Sequence, residues 1–350
     1  MAANSFGEIF RITTYGESHG RGLGVVIDGC PPLIRLKPGD FAKDMARRRP
    51  GKHIGDSPRR EEDTVEIHSG VFEDKTTGAP LALFIKNRDV DSRPYEILKE
   101  LFRPGHADYT YFKKYGHYDY RGGGRSSARE TAARVAAGVV AKKIIEPLGV
   151  KAIGYTLELG GIRAGVIKLE EIENNAFYCP DPVAARRMEE ALARAKKRGD
   201  SLGGVVEVRV TGCPAGLGEP VFDKLDADIA KAVMSVGAVK GVEIGAGFES
   251  ARLTGWSNND PIDPGGFRTN RAGGILGGIS NGEEIVVRAA IKPIPSISLE
   301  QDTVDRSGRP AKLSLSGRFD TSAVPRIVPI LEAMVSIVIA DHYLRAKSMR

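Results

Sequence analysis

The chain has 350 residues, of which 41% are hydrophobic and 27% are charged, so it can bury a substantial core in one large domain or two ordinary ones. This balance, without a long low-complexity run, argues against a disordered or fibrous protein. The net charge of +6 is compatible with a nucleic acid partner, a phosphorylated small molecule or a solvated basic surface.

Targeting and metal-site signals are weak along the chain. The apolar residues 327–340 are interrupted by Glu332 and fall short of the roughly 20 residues that cross a bilayer, so we expect no membrane span. The first residues lack a basic segment followed by an apolar one, so we expect a cytoplasmic protein. Cys30, Cys179 and Cys213 are widely scattered, which predicts reduced core thiols and neither disulfides nor a metal site.

The hydrophobic pattern predicts strands and helices in mixed order. Short runs rich in Val, Ile and Leu predict strands, and apolar residues three or four apart predict helices. The predicted elements, in chain order, are strand 23–27, helix 38–48, strands 64–68 and 81–85, helices 127–145 and 182–197, strand 204–210, and helices 223–234 and 324–345. Residues 273–280 and 284–291, joined at Asn281-Gly282, predict a hairpin.

These elements predict the fold class. Regular strand-helix-strand alternation is missing, which disfavours a doubly wound parallel sheet, and no Pro/Ser/Gly-rich linker divides the chain. We therefore expect a mixed α/β protein of the α+β class, with one domain over residues 1–350.

A glycine-rich segment carries the clearest binding signal. From Asp119 the chain reads Asp-Tyr-Arg-Gly-Gly-Gly-Arg-Ser-Ser and then enters the predicted helix. Ser127 and Glu130 have the spacing of a capping box, and backbone N–H groups at such a helix start suit a phosphate. Three arginines add positive charge: Arg121, Arg125 and Arg129. The alternative is a flexible loop before a capped helix; the sequence of a Walker loop or a dinucleotide fingerprint is not present.

Two histidines lie in glycine-flanked segments typical of loops. His19 is part of Gly-Glu-Ser-His-Gly, and His106 is part of Arg-Pro-Gly-His-Ala-Asp. Such a histidine can exchange a proton near neutral pH, although each one alone is as compatible with a structural role. The remaining histidines are expected in surface or packing roles: His53, His68, His117 and His342.

Further charged residues cluster around two loops. Arg47, Arg48 and Arg49 end a predicted helix, and Arg59-Arg60 follow; they form either a solvated face or an anion clamp. Interleaved aromatics and recognition motifs are lacking, which disfavours nucleic acid. Asp320 follows Ser-Gly-Arg-Phe and is by default an ordinary ion-pair partner of the adjacent arginine.

Several motifs together resemble the chorismate synthase family. The similar segments are residues 16–20 (Gly-Glu-Ser-His-Gly), 103–108 (Arg-Pro-Gly-His-Ala-Asp), 120–132, 239–245 (Val-Lys-Gly-Val-Glu-Ile-Gly), 273–280 and 317–320. They occur in the order of the family, and the resemblance extends from about residue 6 to about residue 345. The resemblance implies one domain that is a sandwich of antiparallel sheets and helices, assembled as a homotetramer.

The resemblance also implies the reaction and its cofactor. In the family, an anti 1,4-elimination removes phosphate and a carbon-6 hydrogen from 5-enolpyruvylshikimate 3-phosphate to give chorismate. Reduced FMN is required without net redox change, and the protein orients it. NADPH is expected as the reductant of the flavin in members that reduce their own flavin; an external flavin reductase serves the others.

Roles for individual residues follow from the same resemblance. It implies three catalytic residues: His19 as the acid for the departing phosphate, His106 as the group that protonates or stabilises reduced flavin, and Asp320 as the base at the central flavin ring. The implied substrate-binding residues are Arg48, Arg103 and Arg129. The implied flavin-binding residues are Arg125, Ser126, Ser127, Gly237, Ala238, Gly277, Lys292, Pro293, Ile294, Pro295, Ser296 and Arg318.

The chain departs from the family pattern at a few positions in these motifs. Phe319 stands where many members have His, and Thr321 replaces a Pro. Gly237 lies where Asn is common, so we expect a side-chain contact to flavin to be lost. Ile54 lies where relatives often have Arg, which leaves Lys52 or a weaker clamp beside the predicted substrate site.

Two other classes of function stay open from the residues alone. A basic nucleic-acid-binding protein predicts salt-sensitive binding to DNA or RNA. A flavin oxidoreductase predicts steady consumption of NAD(P)H, which the missing dinucleotide fingerprint disfavours.

Overall fold

The computed structural model describes residues 3–56, 59, 61–315, 317 and 319–349. Its helices are α1 (Ala42–Arg48), α2 (Asp108–Tyr115), α3 (Thr131–Ile145), α4 (Pro182–Lys197), α5 (Leu225–Met234), α6 (Gly255–Asn258) and α7 (Val324–Ser348). Its strands are β1 (Ser5–Phe6), β2 (Arg11–Gly16), β3 (Gly22–Asp28), β4 (Val65–Ser69), β5 (Val71–Phe72), β6 (Lys75–Thr76), β7 (Leu81–Lys86), β8 (Lys151–Leu159), β9 (Ile162–Arg163), β10 (Gly204–Thr211), β11 (Val239–Ile244), β12 (Ile262–Asp263), β13 (Gly266–Phe267), β14 (Ile275–Leu276), β15 (Ile279–Ser280), β16 (Ile285–Ile291), β17 (Gln301–Val304) and β18 (Pro310–Leu313).

Two five-stranded antiparallel sheets form the outer layers. The first has the strand order β1-β2-β3-β7-β4, and the second has the order β11-β16-β10-β8-β9. Short two-stranded ribbons, β5-β6, β12-β13, β14-β15 and β17-β18, extend from them. In β2, buried residues alternate with exposed ones, as expected for a strand with only one face on the core.

Helices fill the space between the two sheets. Helix α3 packs on β3 and β7 of the first sheet, α7 packs on β8 and β10 of the second, and the two helices pack against each other. Because α3 has protein on several sides, most of its residues are buried rather than one stripe of them. One buried apolar cluster joins both sheets, consistent with the predicted single domain. The predicted α+β sandwich of antiparallel sheets and helices is confirmed.

Helix α7 is longer than its apolar stretch suggests. By length and composition it could cross a membrane, but 94% of its most apolar window is buried inside the protein. Glu332, in the middle of this helix, is 2% exposed. Its carboxylate accepts hydrogen bonds from Arg47 Nη2 at 3.0 Å and from the backbone N–H of Gly154 at 2.7 Å. A buried charge with these partners identifies α7 as a core helix of the sandwich.

The predicted hairpin around Asn281-Gly282 is wrong. Strand β16 pairs with β10 and β11, whereas β14 pairs with β15. The tight turn falls at Gly277-Gly278, whose φ angles of +59° and +85° suit a two-residue connection. The other predicted helices and strands occur within a few residues of their expected positions, with Pro182–Lys197 at its predicted bounds.

Candidate active site

A cavity of about 350 Å³ opens between the start of α3, the start of α7 and the loops that follow α1, α5 and β16. Its volume is in the range of small-molecule sites. The described side chains that line it carry six positive charges, on Arg48, Arg59, Arg103, Arg129, Lys292 and Arg326. Only two lining carboxylates oppose them, Glu61 and Asp320. Such a cavity is suited to a small ligand with several negative charges.

Two of the predicted substrate arginines share one buried carboxylate. Arg48 Nη2 donates to Asp63 Oδ2 at 2.7 Å, and Arg129 Nη1 donates to Asp63 Oδ1. Burial alone would raise the pKa of Asp63, but the two guanidinium groups lower it to about 2. Burial lowers the pKa of Arg48 to about 10, so Arg48 is still a cation at neutral pH. We call Arg48, Asp63 and Arg129 the clamp.

The clamp leaves donors for a ligand. Arg48 Nε and Arg129 Nη2 are buried and have no hydrogen-bond partner among the residues that the structure describes. Arg129 also donates from Nε to Asn87 Oδ1 at 3.0 Å, which fixes its plane. Buried polar groups in native proteins nearly always have a partner. Since both arginines line the cavity, an anion there would supply the missing acceptors.

The third predicted substrate arginine lies beside His106. Arg103 Nε and Nη2 donate to the two oxygens of Asp108 at 2.7 and 2.8 Å, and Nη1 donates to Ser296 Oγ at 3.3 Å. His106 Nδ1 is 2.8 Å from Asp108 Oδ1. Burial lowers the pKa of His106, and the hydrogen bond to Asp108 opposes this shift. The residues Arg103, His106 and Ser296 all line the cavity.

His19 lies directly behind the lining residue Gly122. A Cβ at Gly122 would be 2.4 Å from His19 Nε2, so the absence of a side chain there allows the imidazole to approach. His19 Nδ1 is 2.8 Å from Ser92 Oγ, and the ring makes an edge contact with Tyr95. Burial and the nearby Arg59 lower the pKa of His19. His19 therefore lies next to the lining, and the charged groups that act on it are Arg59 and Arg121 together with Asp91 and Asp119.

Asp320 lines the cavity four residues before α7 begins. Arg326, one turn into α7, donates from Nη1 to Asp320 Oδ2. The neighbouring Phe319 makes an edge contact with Tyr95 at 6.2 Å between ring centroids and packs on the small apolar cluster that includes Leu98. The Phe319 ring is thus held by packing, and with this residue at position 319 Asp320 still lines the cavity.

The glycine-rich segment forms a tight irregular turn ahead of α3. Gly122, Gly123 and Gly124 all have positive φ, and Ser126 and Ser127 line the cavity. The predicted capping box does not form. Ser127 Oγ instead accepts from the backbone N–H of Arg129 at 3.3 Å, and Glu130 pairs with Arg134 at 2.9 Å. A short 3₁₀ turn at Ala128–Glu130 precedes the α-helix and shifts Glu130 away from the capping position.

The loops after α5 and β16 supply the other predicted cofactor residues. Gly237 and Ala238 line the cavity, as do Lys292, Ile294, Pro295 and Ser296. Lys292 Nζ donates to the backbone carbonyl of Gly105, which joins this loop to the His106 turn. A Cβ at Gly237 would meet nothing within 4 Å, so the space left by the missing asparagine is open.

Other predicted cofactor residues do not lie in the described lining. The Arg125 guanidinium donates to Thr14 Oγ1 at 2.8 Å and to Gly16 O at 3.1 Å, which ties it to β2. Gly277 is in the turn between β14 and β15, and Pro293, between the lining residues Lys292 and Ile294, is not itself among the described residues that line the cavity. Arg318 lies outside the described residues.

The departure at Ile54 predicts either a contact from Lys52 or a weaker clamp. Lys52 donates from Nζ to the hydroxyl of Tyr178 and sits over that ring, so it is engaged away from the cavity. Ile54 is half exposed. Arg59, which the sequence analysis placed only in a general basic cluster, lines the cavity and donates to Glu61 Oε1 at 2.8 Å.

Arg326 was missed at the sequence level. The sequence offers one signal for Arg326, which is a charged residue in the first turn of an apolar helix. An arginine at such a position either faces solvent or has a buried partner. Among the residues that the structure describes, no group of three His, Cys, Asp or Glu is arranged to hold a metal ion.

Comparison with known proteins places this geometry in a family. The family model for chorismate synthase matches residues 10–344. The chain is 58% identical to chorismate synthase of Desulfosudis oleivorans over 350 residues, covering 100% of this chain and 99% of that protein. It is 60% identical to chorismate synthase of Syntrophobacter fumaroxidans over 344 residues, covering 98% of each. A solved structure described as "Crystal Structure of Chorismate Synthase" has a TM-score of 0.75 and 33% identity, and the match covers 97% of this chain and 93% of that one.

Proposed function

The chain belongs to the chorismate synthase family, and we propose that its cavity converts 5-enolpyruvylshikimate 3-phosphate to chorismate by anti 1,4-elimination. This reaction is a lyase step of the shikimate pathway, which leads to the aromatic amino acids. The observation that carries the proposal is the charge of the cavity, whose described lining has six cationic side chains and two anionic ones. The chain that holds this cavity matches the family over nearly its whole length.

The clamp fits a substrate with a phosphate and two carboxylates. Arg48 Nε and Arg129 Nη2 are buried and make no hydrogen bond within the described residues, although Glu61 Oε2 lies 3.7 Å from Arg129 Nη2. A guanidinium pairs well with the oxygens of phosphate and carboxylate groups. Arg103 adds a third cation to the lining, next to Ser296. We propose that Arg48, Arg103 and Arg129 bind the substrate anions and orient the ring between them.

The family uses reduced flavin, and we propose reduced FMN as the cofactor. The lining combines apolar surface from Ala238, Ile294 and Pro295 with polar groups from Ser126, Ser127, Lys292 and Ser296, a donor set that suits a flat heteroaromatic ring bearing a phosphate chain. When bound, reduced flavin supplies electron density to the allylic system and recovers it, so that no net oxidation occurs.

The remaining chemistry is proton transfer by this chain's own residues. We assign His19 as the acid for the departing phosphate, because it lies next to the lining residue Gly122 and has Arg59 nearby. His106 would exchange a proton at Nε2, since Asp108 engages Nδ1. Asp320 would act as the base, with Arg326 keeping its carboxylate in place.

The decisive experiment is anaerobic turnover of 5-enolpyruvylshikimate 3-phosphate with dithionite-reduced FMN. We expect chorismate and phosphate in equal amounts, with the flavin still reduced at the end. Formation of neither product, although flavin binds, would contradict the proposal. Oxidised flavin in proportion to product would instead indicate an oxidoreductase.

Assembly, flavin reduction and location complete the proposal. We expect a homotetramer in the cytoplasm, and large exposed side chains such as Phe222, Phe248 and Trp256 support burial against another subunit. Sedimentation velocity would test the tetramer.

NADPH oxidation by the purified chain under anaerobic conditions with FMN would distinguish self-reduction from dependence on an external flavin reductase.

A further inference from the structure

One carboxylate organises the turn that carries both His106 and Arg103. Asp108 is the first residue of α2, and it is 1% exposed. Its Oδ2 accepts from Arg103 Nε at 2.7 Å and from the Arg103 backbone N–H at 3.2 Å. Its Oδ1 accepts from Arg103 Nη2 at 2.8 Å and lies 2.8 Å from His106 Nδ1. An ionised carboxylate offers about four acceptor positions, so these four contacts use all of them.

The charge of Asp108 decides the direction of its bond to His106. Burial alone would raise the pKa of Asp108, but the hydrogen bonds from Arg103 and His106 hold it well below its usual range. An ionised carboxylate can only accept, so Nδ1 of His106 must carry a hydrogen. Neutral His106 then has its lone pair on Nε2, on the opposite side of the ring.

We infer that Asp108 is a positioning residue of the reaction, which fixes the Nδ1–H tautomer of His106 so that Nε2 is the atom that exchanges the catalytic proton. The same carboxylate holds Arg103 in the plane that reaches Ser296. This inference rests on the proposed function, because it assigns the geometry by which His106 performs its proton transfer. A carboxylate that orients a catalytic imidazole in this way acts through the histidine and never touches the substrate.

The surroundings of the ring agree with this assignment. A Cβ at Gly123 would lie 3.4 Å from His106 Cε1 and 3.6 Å from Nε2, so the ring edge opposite Asp108 faces the glycine-rich turn. The charged groups that act on His106 are Arg103 and Lys292, which favour its neutral form, and Asp108, which favours its cation. Tyr118 faces Asp108, and burial followed by the negative charge of Asp108 raises the pKa of Tyr118.

A purely structural role predicts different contacts. The four hydrogen bonds of Asp108 run to Arg103 and His106, and within the described residues none of them runs to the backbone of α2. Asp181 offers the contrast. It precedes α4 and accepts from the backbone N–H groups of Val183 and Ala184 at 2.9 and 3.2 Å, which is a capping role away from the cavity.

The test is ¹⁵N NMR of histidine-labelled full-length chain without substrate or flavin, with the His106 signal assigned by its loss in His106→Gln. In the wild-type protein we expect neutral His106 to carry its hydrogen on Nδ1. In Asp108→Asn we expect a lower His106 pKa by about one unit and a shift towards the Nε2–H tautomer, since an amide can donate to Nδ1. Asp181→Asn should leave the pKa and the tautomer of His106 unchanged.

Turnover provides the second reading. We expect Asp108→Asn to lower kcat by about 10²- to 10⁴-fold and to move the alkaline limb of its pH profile to lower pH. Asp108→Glu, which keeps the carboxylate, should recover part of this loss, whereas Asp181→Asn should keep wild-type kcat. A wild-type Nε2–H tautomer, or an Asp108→Asn protein with the wild-type tautomer and pKa, would overturn the inference. The wild-type spectrum decides even if Asp108→Asn does not fold, and it does so independently of whether the proposed reaction occurs.

Discussion

Arg48 and Arg129 bind opposite oxygens of the same carboxylate, although they lie 81 positions apart in the chain, one at the end of α1 and the other just before α3. Asp63 is 3% exposed and has a positive φ of 52°. The two guanidinium groups are therefore held in fixed orientations in the cavity lining. Preorganised donors of this kind bind an anion without first losing side-chain entropy.

Removing the charge of Asp63 should destabilise the fold. Asp63→Asn keeps the shape and tolerates positive φ, but it leaves Arg48 without its paired carboxylate and Arg129 with the more distant carboxylate of Glu61, 3.7 Å away, which costs about 3–5 kcal/mol. The measurement is urea unfolding at pH 7. Asp74→Asn is the matched control, since Asp74 also has positive φ, at 60°, but makes an exposed ion pair with Lys37. A loss above about 1 kcal/mol in the control would show that the backbone and not the clamp is responsible.

The clamp also predicts a pH dependence of stability. The folded-state pKa of Asp63 is about 2, below the value of about 3.9 in an unfolded chain. Its contribution of about 2 kcal/mol is thus fully present above about pH 4 and is lost as the pH falls towards 2. We expect the free energy of unfolding to fall less steeply between pH 4 and 2 in Asp63→Asn than in the wild type. Parallel pH profiles for the two proteins would contradict this assignment.

Substrate affinity should depend on Arg48 more than on its neighbour. Arg48→Ala removes a buried cation and its free N–H, so we expect the KM for the phosphorylated substrate to rise about 30- to 100-fold, equivalent to roughly 2–3 kcal/mol. Arg49→Ala is the control, because Arg49 donates to Glu62 O at 3.0 Å and lies outside the cavity lining. Equal KM values for the two variants would remove Arg48 from the substrate site.

Gly122 offers a steric test of His19. Gly122→Ala would place a Cβ 2.4 Å from His19 Nε2, so the imidazole must move, and we expect kcat to fall at least about tenfold. Gly116→Ala imposes a similar backbone cost of about 1–2 kcal/mol, since its φ is +69°, but its Cβ would meet nothing within 4 Å. Thermal melting should show comparable losses in both variants. If turnover also falls equally, displacement of His19 is not the cause.

The acid and base assignments predict large effects at single positions. His106→Ala and Asp320→Ala should each lower kcat by about 100-fold or more, as expected for lost proton-transfer groups. Circular dichroism should show an intact fold. His68→Ala and Asp302→Ala are suitable controls, because both side chains are exposed and pair only with surface charges, Glu66 and Lys312. Near-normal turnover in either site variant removes that residue from the mechanism.

The local sequence pattern predicted the helices well, because the spacing of apolar residues and the capping residues at a helix end both depend on a single element. Pro182–Lys197 has its predicted bounds, with Asp181 as N-cap and Pro182 in the first turn. The errors occur where a distant contact overrides a local signal. Strand β16 pairs with β10 and β11 although Asn281-Gly282 favours a local hairpin, and Glu130 pairs with Arg134 although its spacing favours a capping box.

The site was predictable in part for the same reason. His106 and Arg103 lie in one short motif, so their proximity is local. The carboxylates that orient the site are less accessible to sequence reasoning, because Asp63 has two arginine partners 15 and 66 positions away. The role of Arg326 becomes visible only in the folded protein, where the start of α7 brings it to Asp320. Long-range ion pairs of this kind form only when the sandwich is assembled, and they do not produce a periodic pattern in the sequence.

The buried position of α7 has a consequence for how the protein is made. Asp341, near the end of that helix, accepts hydrogen bonds from the backbone N–H groups of Glu8, Ile9 and Phe10 at 3.1, 2.8 and 2.8 Å. The backbone N–H groups of residues 8–10 therefore obtain these acceptors only after Asp341, more than 330 positions later in the chain, has been synthesised. All strands of the second sheet precede α7 in the chain, so the face that α7 covers stays exposed in a nascent chain until that helix has been synthesised. We expect chaperone dependence to be concentrated in this interval.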